Sequence, residues 1–262
     1  MKLAISNIGW SYDNDNQIYE KMIKYGYSGL EIAPTRIFAE NPYNRCQEAG
    51  TWSSQLKEIY NFTIPSMQSI WFGKSEKLFA SKRERKELLD YTKKAIDFAE
   101  AIGCGNLVFG CPRNRNVEEG MDTEPALNFF YEIGEYAYKK GTVIGMEANP
   151  SIYNTNYIND TLSAIHLIER VKSKGFLLNL DLGTVIQNQE DINEIKGKVQ
   201  LINHIHISEP GLQPIQKREI HNKLRDILSE ENYNKFISIE MGKLDDVAII
   251  ENTLKYVEEI FG

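Results

Sequence analysis

The stretch Asp160-Thr-Leu-Ser-Ala-Ile-His-Leu-Ile-Glu-Arg-Val-Lys172, followed after a short break by Phe176-Leu-Leu-Asn-Leu-Asp181, reads as a helix running into a strand. The first part carries apolar residues at helical spacing. The second is short and almost continuously apolar until it meets an aspartate. Such runs fit parallel strands covered on both faces. The same unit recurs along the whole chain. Strands are expected at Leu3–Ser6, Gly29–Ile32, Thr63–Gln68, Asn106–Phe109, Val143–Glu147, Phe176–Asp181, Ile202–Ile207 and Phe236–Glu240. Helices are expected at Asn16–Tyr25, Thr51–Tyr60, Lys82–Ile102, Glu124–Lys140, Asp160–Lys172, Lys217–Glu230 and Asp245–Ile260. The stripe Ile96, Phe98, Ala99, Ile102 is an example of their apolar face. Gly26, Gly103, Gly141 and Gly175 stand where a helix needs a left-handed residue to end.

Eight such units in 262 residues predict an α/β fold of the (β/α)8 TIM-barrel type, with residues 1–262 forming a single domain. An open doubly wound sheet is built from the same units, but no GxGxxG follows the first strand. No linker or low-complexity segment divides the chain.

Composition narrows the function classes. The chain has 30 Lys+Arg against 37 Asp+Glu, net −7. A nucleic-acid partner is therefore not expected, because that contact wants a basic patch. No apolar run is long enough to span a membrane, so no membrane partner is expected. The start MKLAISNIGW is too polar for a secretory signal. Cys46, Cys104 and Cys111 are few and unpaired in pattern, so a disulfide framework is not expected and the cytoplasm is the expected compartment.

In parallel α/β folds the site forms beyond the carboxyl ends of the strands. The last four strands end in Glu147, Asp181, the pair His204/His206, and Glu240. Taken singly, an acid at a strand end is commonly a helix cap or an ion-pair partner. Four in consecutive units at the same end point to a shared task. Three buried carboxylates would repel one another and resist ionisation. A divalent cation supplies the missing positive charge. Three carboxylates with one imidazole suit Mn, Mg or Co, with Zn also accommodated. His204 and His206 share a face of their strand, so one is read as the ligand and the other as its support, with a satisfied core histidine as the alternative for His204.

Further candidates lie just past the strands. Arg113 and Arg115 are read as a clamp for a substrate's anionic group. Asn149 and Glu209 are read as polar contacts, and Trp10, Trp71 and Phe72 as an apolar wall. Glu31, at the second strand, is read as a substrate contact. His166 is read as a surface residue and His221 as a structural one.

These residues resemble the xylose isomerase-like TIM-barrel superfamily, in the sugar phosphate isomerase/epimerase group. The similar stretches are Gly29-Leu-Glu-Ile-Ala-Pro34, Met67-Gln-Ser-Ile-Trp-Phe-Gly73, Val108-Phe-Gly-Cys-Pro-Arg-Asn-Arg115, Glu147-Ala-Asn-Pro150, Leu180-Asp-Leu-Gly183, His204-Ile-His-Ile-Ser-Glu-Pro210 and Ser238-Ile-Glu-Met241. The resemblance implies a divalent-metal-dependent isomerase or epimerase of a sugar or sugar derivative. It implies a metal held by Glu147, Asp181, His206 and Glu240, with His204 as support. Glu147 and Glu240 are then also the proton-transferring pair, acting through an enediolate that the metal stabilises. It further implies a small sugar as partner and self-association, with a homodimer expected.

Three positions depart from ketose 3-epimerases of this kind. Thr184, Tyr153 and Leu212 stand where those enzymes carry a His, a Glu and an Arg near the substrate's end. That puts the 3-epimerase assignment in question without touching the quartet. A hydrolase or dehydratase of a polyol or keto acid would use the same groups. So would a metabolite-binding barrel without catalysis. An endonuclease IV-like repair enzyme wants many more histidines than four, and a positive face.

Overall fold

The computed structural model describes residues 1–262. Seven parallel strands form one sheet: β1 (Lys2–Ser6), β2 (Gly29–Glu31), β3 (Leu107–Phe109), β4 (Ile144–Glu147), β5 (Phe176–Asp181), β6 (Ile202–Ile207) and β7 (Phe236–Ile239). Their order is β2-β1-β7-β6-β5-β4-β3. The outer layer holds α1 (Asp15–Lys24), α2 (Pro34–Ile37), α3 (Cys46–Tyr60), α4 (Lys82–Ile102), α5 (Glu124–Lys139), α6 (Thr161–Val171), α7 (Leu182–Asn188), α8 (Glu219–Glu230) and α9 (Val247–Phe261).

The eighth strand expected at Thr63–Gln68 is not a regular strand. Pro65 lies inside it and lacks the N–H that a ladder needs. The segment nevertheless bridges Thr63 to Gly29, and Met67 to both Ile32 and Leu107. It therefore joins β2 to β3, the two ends of the sheet, and closes the barrel. Two short helices, α2 and α7, were not expected. Each starts within three residues of a strand end and is too short to show a period.

Helix ends mostly follow the expected chemistry. Gly26, Gly103 and Gly141 have φ of 72°, 67° and 73°. Gly175 differs, because the left-handed residue after α6 is Lys172 at φ 56°. Gly175 is required for a different reason: a Cβ there would lie 2.0 Å from the Gly134 carbonyl oxygen of α5.

The core has two layers. Between sheet and helices, Phe109, Phe129, Phe130 and Phe176 pack mainly edge to face. Inside the barrel the side chains are largely polar. Asn203 donates to Asn106 (3.0 Å), Asn106 to Asn179 (3.2 Å), and Asn179 to Glu147 (2.9 Å). This amide chain leads from the lower barrel to the strand ends. Buried amides are stable only when partnered, and here they partner one another.

His166 is exposed on α6, and His221 on α8 is wholly buried. The His221 Nδ1 lies 2.7 Å from the Tyr256 hydroxyl, while its Nε2 has no partner. Burial lowers its pKa to about 4; the nearby Glu209 opposes this and Arg218 adds to it. The imidazole is thus neutral when folded but takes a proton below about pH 6.5 when unfolded. Its stabilising contribution, up to about 3 kcal/mol, is complete above pH 6.5 and lost as pH falls toward 4. Melting curves of the wild type and His221→Gln between pH 7.5 and 4.5 test this. The variant is expected to show the shallower loss; parallel curves would refute it.

Candidate metal centre

Glu147 ends β4, Asp181 ends β5, His206 lies in β6 and Glu240 directly follows β7. These strands are sheet neighbours, and the register places Asp181 beside His206 and His206 beside Ser238. One donor atom from each of Glu147, Asp181, His206 and Glu240 lies within 4.8 Å of the others. His206 Nδ1 is 3.0 Å from a Glu147 oxygen and 3.2 Å from a Glu240 oxygen. The carboxylates and imidazole are therefore positioned to share one cation.

Electrostatics agree with that use. Burial raises the Asp181 pKa, and Glu147 beside it adds to the rise. Burial likewise pushes Glu240 up to about 7 against the pull of His206. Burial opposes a charge on His206, but Glu240 and Glu31 outweigh it and hold that pKa well above the usual value. Three crowded acids are thus short of positive charge, which is what a divalent cation provides. The donor set fits such an ion.

Each ligand candidate is held by neighbours. Glu147 accepts from Asn179 at one oxygen (2.9 Å) and Asn149 at the other (3.1 Å). A Cβ at Gly110 would lie 2.7 Å from that second oxygen, so a side chain there would push the Glu147 carboxylate from this position. Asp181 caps α7, accepting from the Thr184 N–H (2.8 Å) and hydroxyl (2.7 Å), and also from Ser208. The helix cap and the ligand position are one residue, so the two readings of Asp181 do not compete. The His206 Nε2 faces Glu31 at 2.9 Å.

Glu147, Asp181 and Glu240 line the floor of a cavity of about 780 Å³, and His206 lies buried directly against them. Its wall includes Trp71, Phe72, Arg113, Asn149, Tyr153 and Leu212. The Arg113 side chain is exposed there, whereas Phe72 is 69% exposed at the rim.

Several expected contacts are placed otherwise. Arg115 is wholly buried behind the cavity, bonded to the Glu147 carbonyl (2.9 Å), Asn149 (2.9 Å) and the Ile158 carbonyl (3.3 Å). It braces the end of β4 and cannot clamp a substrate. Glu209 reaches the wall, but Arg218 takes both its oxygens at 2.7–3.0 Å. Trp10 is buried away from the cavity, its indole N–H donating to Asp15 (2.7 Å). Glu31 is buried beneath His206 and does not reach the cavity. His204 lies below the quartet, its Nε2 2.8 Å from Ser238 and 3.1 Å from Glu31. Asn179 was not singled out from the sequence. The available signal was its position two residues before Asp181, on the same face of β5.

The sequence model for the xylose isomerase-like TIM barrel family matches residues 19–260. The chain belongs to that family. Similar solved structures cover the barrel from end to end at low identity. D-psicose 3-epimerase from Clostridium cellulolyticum H10, solved with D-tagatose, is 13% identical with a TM-score of 0.80, covering 100% of this chain and 99% of that one. The 3-keto-D-glucoside 4-epimerase from E. coli is 15% identical with a TM-score of 0.76, covering 99% of each chain. An AP endonuclease, family 2, from Brucella melitensis is 19% identical with a TM-score of 0.73, covering 98% of each. A search of curated protein sequences found no match. At these identities the likeness shows the fold alone. Cys46, Cys104 and Cys111 are free, and no helix is long and apolar enough to cross a membrane.

Proposed function

We propose that this xylose isomerase-like barrel is a divalent-cation-dependent isomerase or epimerase of a sugar or sugar derivative. The supporting observation is the convergence of Glu147, Asp181, His206 and Glu240, with the three carboxylates lining the floor of one cavity. Mn, Mg or Co suits three carboxylates and one imidazole, and Zn is accommodated. When bound, the cation supplies stabilisation of negative charge developing on the substrate's oxygens.

The proton transfers fall to the chain's own side chains. A hydrogen α to a carbonyl leaves slowly unaided, and a carboxylate held at hydrogen-bond reach removes it. Glu147 and Glu240 are the pair that does this: one, ionised, takes the proton, and the other, protonated, returns one. In the sheet β5 and β6 lie between β4 and β7, so the two glutamates approach from either side of Asp181 and His206. That placement favours removal from one face and return to the other, which is epimerisation. Asn179 and Asn149 hold the Glu147 carboxylate in place, and Trp71 supplies an apolar side to the cavity. The names of the two similar epimerases agree with this chemistry, and small sugars rather than nucleic acid suit the net charge of −7.

The test is a panel of ketoses, sugar phosphates and inositols incubated with the protein and Mn²⁺ in D₂O, read by NMR. Deuterium is expected at the α-carbon of any product. Turnover without deuterium uptake would replace this reading with hydride shift or hydrolysis.

A further inference from the structure

The quartet leaves one group beneath it unexplained. Glu31, at the end of β2, is wholly buried and touches neither cavity nor substrate space. Its Oε1 accepts from the Gln68 amide (3.1 Å), which also donates to the Ser6 hydroxyl (2.8 Å). Its Oε2 faces the Nε2 atoms of both His206 (2.9 Å) and His204 (3.1 Å). The two rings stand at 88° to each other, so each presents its edge to the same oxygen. All three side chains are buried beneath the cavity, and each has a further partner, Gln68 for Glu31, Ser238 for His204 and the quartet for His206, so we read the trio as a hydrogen-bonded unit.

We propose that Glu31 is the positioning residue that determines which nitrogen of His206 faces the cation. The inference rests on the reading of the quartet as a cation site. An ionised carboxylate only accepts hydrogen bonds, so His206 Nε2 must carry the hydrogen. Once a cation takes the place of any hydrogen on Nδ1, the imidazole keeps its hydrogen on Nε2 and offers its Nδ1 lone pair. Nδ1 is the atom that points at Glu147 and Glu240.

Those same two carboxylates create the need for Glu31. Each accepts hydrogen bonds too, and each favours a hydrogen on Nδ1. That tautomer would fill the ligand direction with N–H. Glu31 opposes it from the other side of the ring, and Gln68 and Ser6 fix Glu31 in turn. His204 shares the carboxylate and anchors its second lone pair. Partners of this kind behind a metal-binding histidine are worth 10- to 100-fold in affinity.

The test uses the whole protein with ¹⁵N-labelled histidine, in the wild type, Glu31→Gln and His204→Gln. In the metal-free protein, the His206 Nε2–H proton is expected as a low-field resonance protected from exchange, moving upfield in Glu31→Gln. With Zn²⁺ bound, the wild-type His206 is expected to keep Nε2–H and lose the hydrogen from Nδ1. Mn²⁺ affinity, read by electron paramagnetic resonance, is expected to fall 10- to 100-fold in Glu31→Gln and less than threefold in His204→Gln. Melting curves establish that each variant folds. A merely structural Glu31 would lower melting without moving the Nε2–H resonance, and that result overturns the proposal. So does wild-type Mn²⁺ affinity in Glu31→Gln, or a His206 protonated on Nδ1 alone. A wild type that binds no Mn²⁺ removes the cation reading of the quartet and this inference with it. A wild type that binds Mn²⁺, with Glu31→Gln binding it equally well, removes this inference alone.

Discussion

Replacing Glu147 by Gln is expected to lower kcat by about 10³-fold or more while leaving the protein folded. A positioned proton carrier contributes roughly 10²- to 10⁴-fold by itself. Glu147 is additionally one of four groups within 4.8 Å of one another, so its loss also weakens the hold on a cation. The fold should tolerate the change for a specific reason. Glu147 is one of three acids crowded at the barrel floor, and its neighbour Asp181 is already driven toward the neutral form by burial and by Glu147. Removing one charge relieves repulsion, so the melting temperature without metal should stay level or rise. The Arg115 bond is made to the residue's backbone carbonyl and survives the substitution. Steady-state kinetics on whichever sugar shows deuterium uptake, with a thermal melt alongside, make the measurement. A variant keeping a tenth of the wild-type rate would take Glu147 out of the chemistry. A metabolite-binding barrel without catalysis would have no turnover to lose.

The second large effect concerns stability. A cation that binds the folded chain and not the unfolded one stabilises by RT ln(1 + [L]/Kd), about 4 kcal/mol at a thousandfold excess over Kd. For a chain of this size each kcal/mol moves melting by about 2–4 °C. Saturating Mn²⁺ should therefore raise the melting temperature by roughly 8–16 °C over the chelated protein. Chelation should also abolish turnover. Asp181→Asn separates this effect from helix capping. Asn caps a helix about as well as Asp, so the bonds from Thr184 to residue 181 can persist while the charge is gone. That variant should melt near the wild type in chelator and gain little from Mn²⁺. Identical melting of the wild type with chelator and with Mn²⁺ would count decisively against the quartet as a cation site.

How much of this was readable from residues alone differs from feature to feature. The alternation of strands and helices was legible because parallel strands covered on both faces are short apolar runs, and their helices repeat every 3.6 residues. Lys82–Ile102 and Phe176–Asp181 fall where the periodicity places them. The segment Thr63–Gln68 has the place of a strand in the alternation, but Pro65 denies the ladder an N–H, so only isolated bridges form at Thr63 and Met67. The short α7 was missed because seven residues after Asp181 offer too little period to see.

At the site, the order of acids at successive strand ends was visible because chain direction fixes which end of a parallel barrel they share. Long side chains were the failure. Arg115, Glu209 and Glu31 each follow or end a strand, as a substrate contact would. Arg115 instead turns inward to carbonyls, Glu209 is taken by Arg218, and Glu31 is sealed under His206.

The sequence by itself determined the repeating unit, the end of the barrel that carries the acids, and the type of ion such acids suit. Those follow from local periodicity, chain direction and the chemistry of each residue. Tertiary structure alone decided which ring nitrogen of His206 faces the acids, that Glu31 lies behind it, and that Arg115 braces rather than binds. Those depend on inter-strand register and on where flexible side chains find partners in a low-dielectric interior, and neither is a local property of the chain.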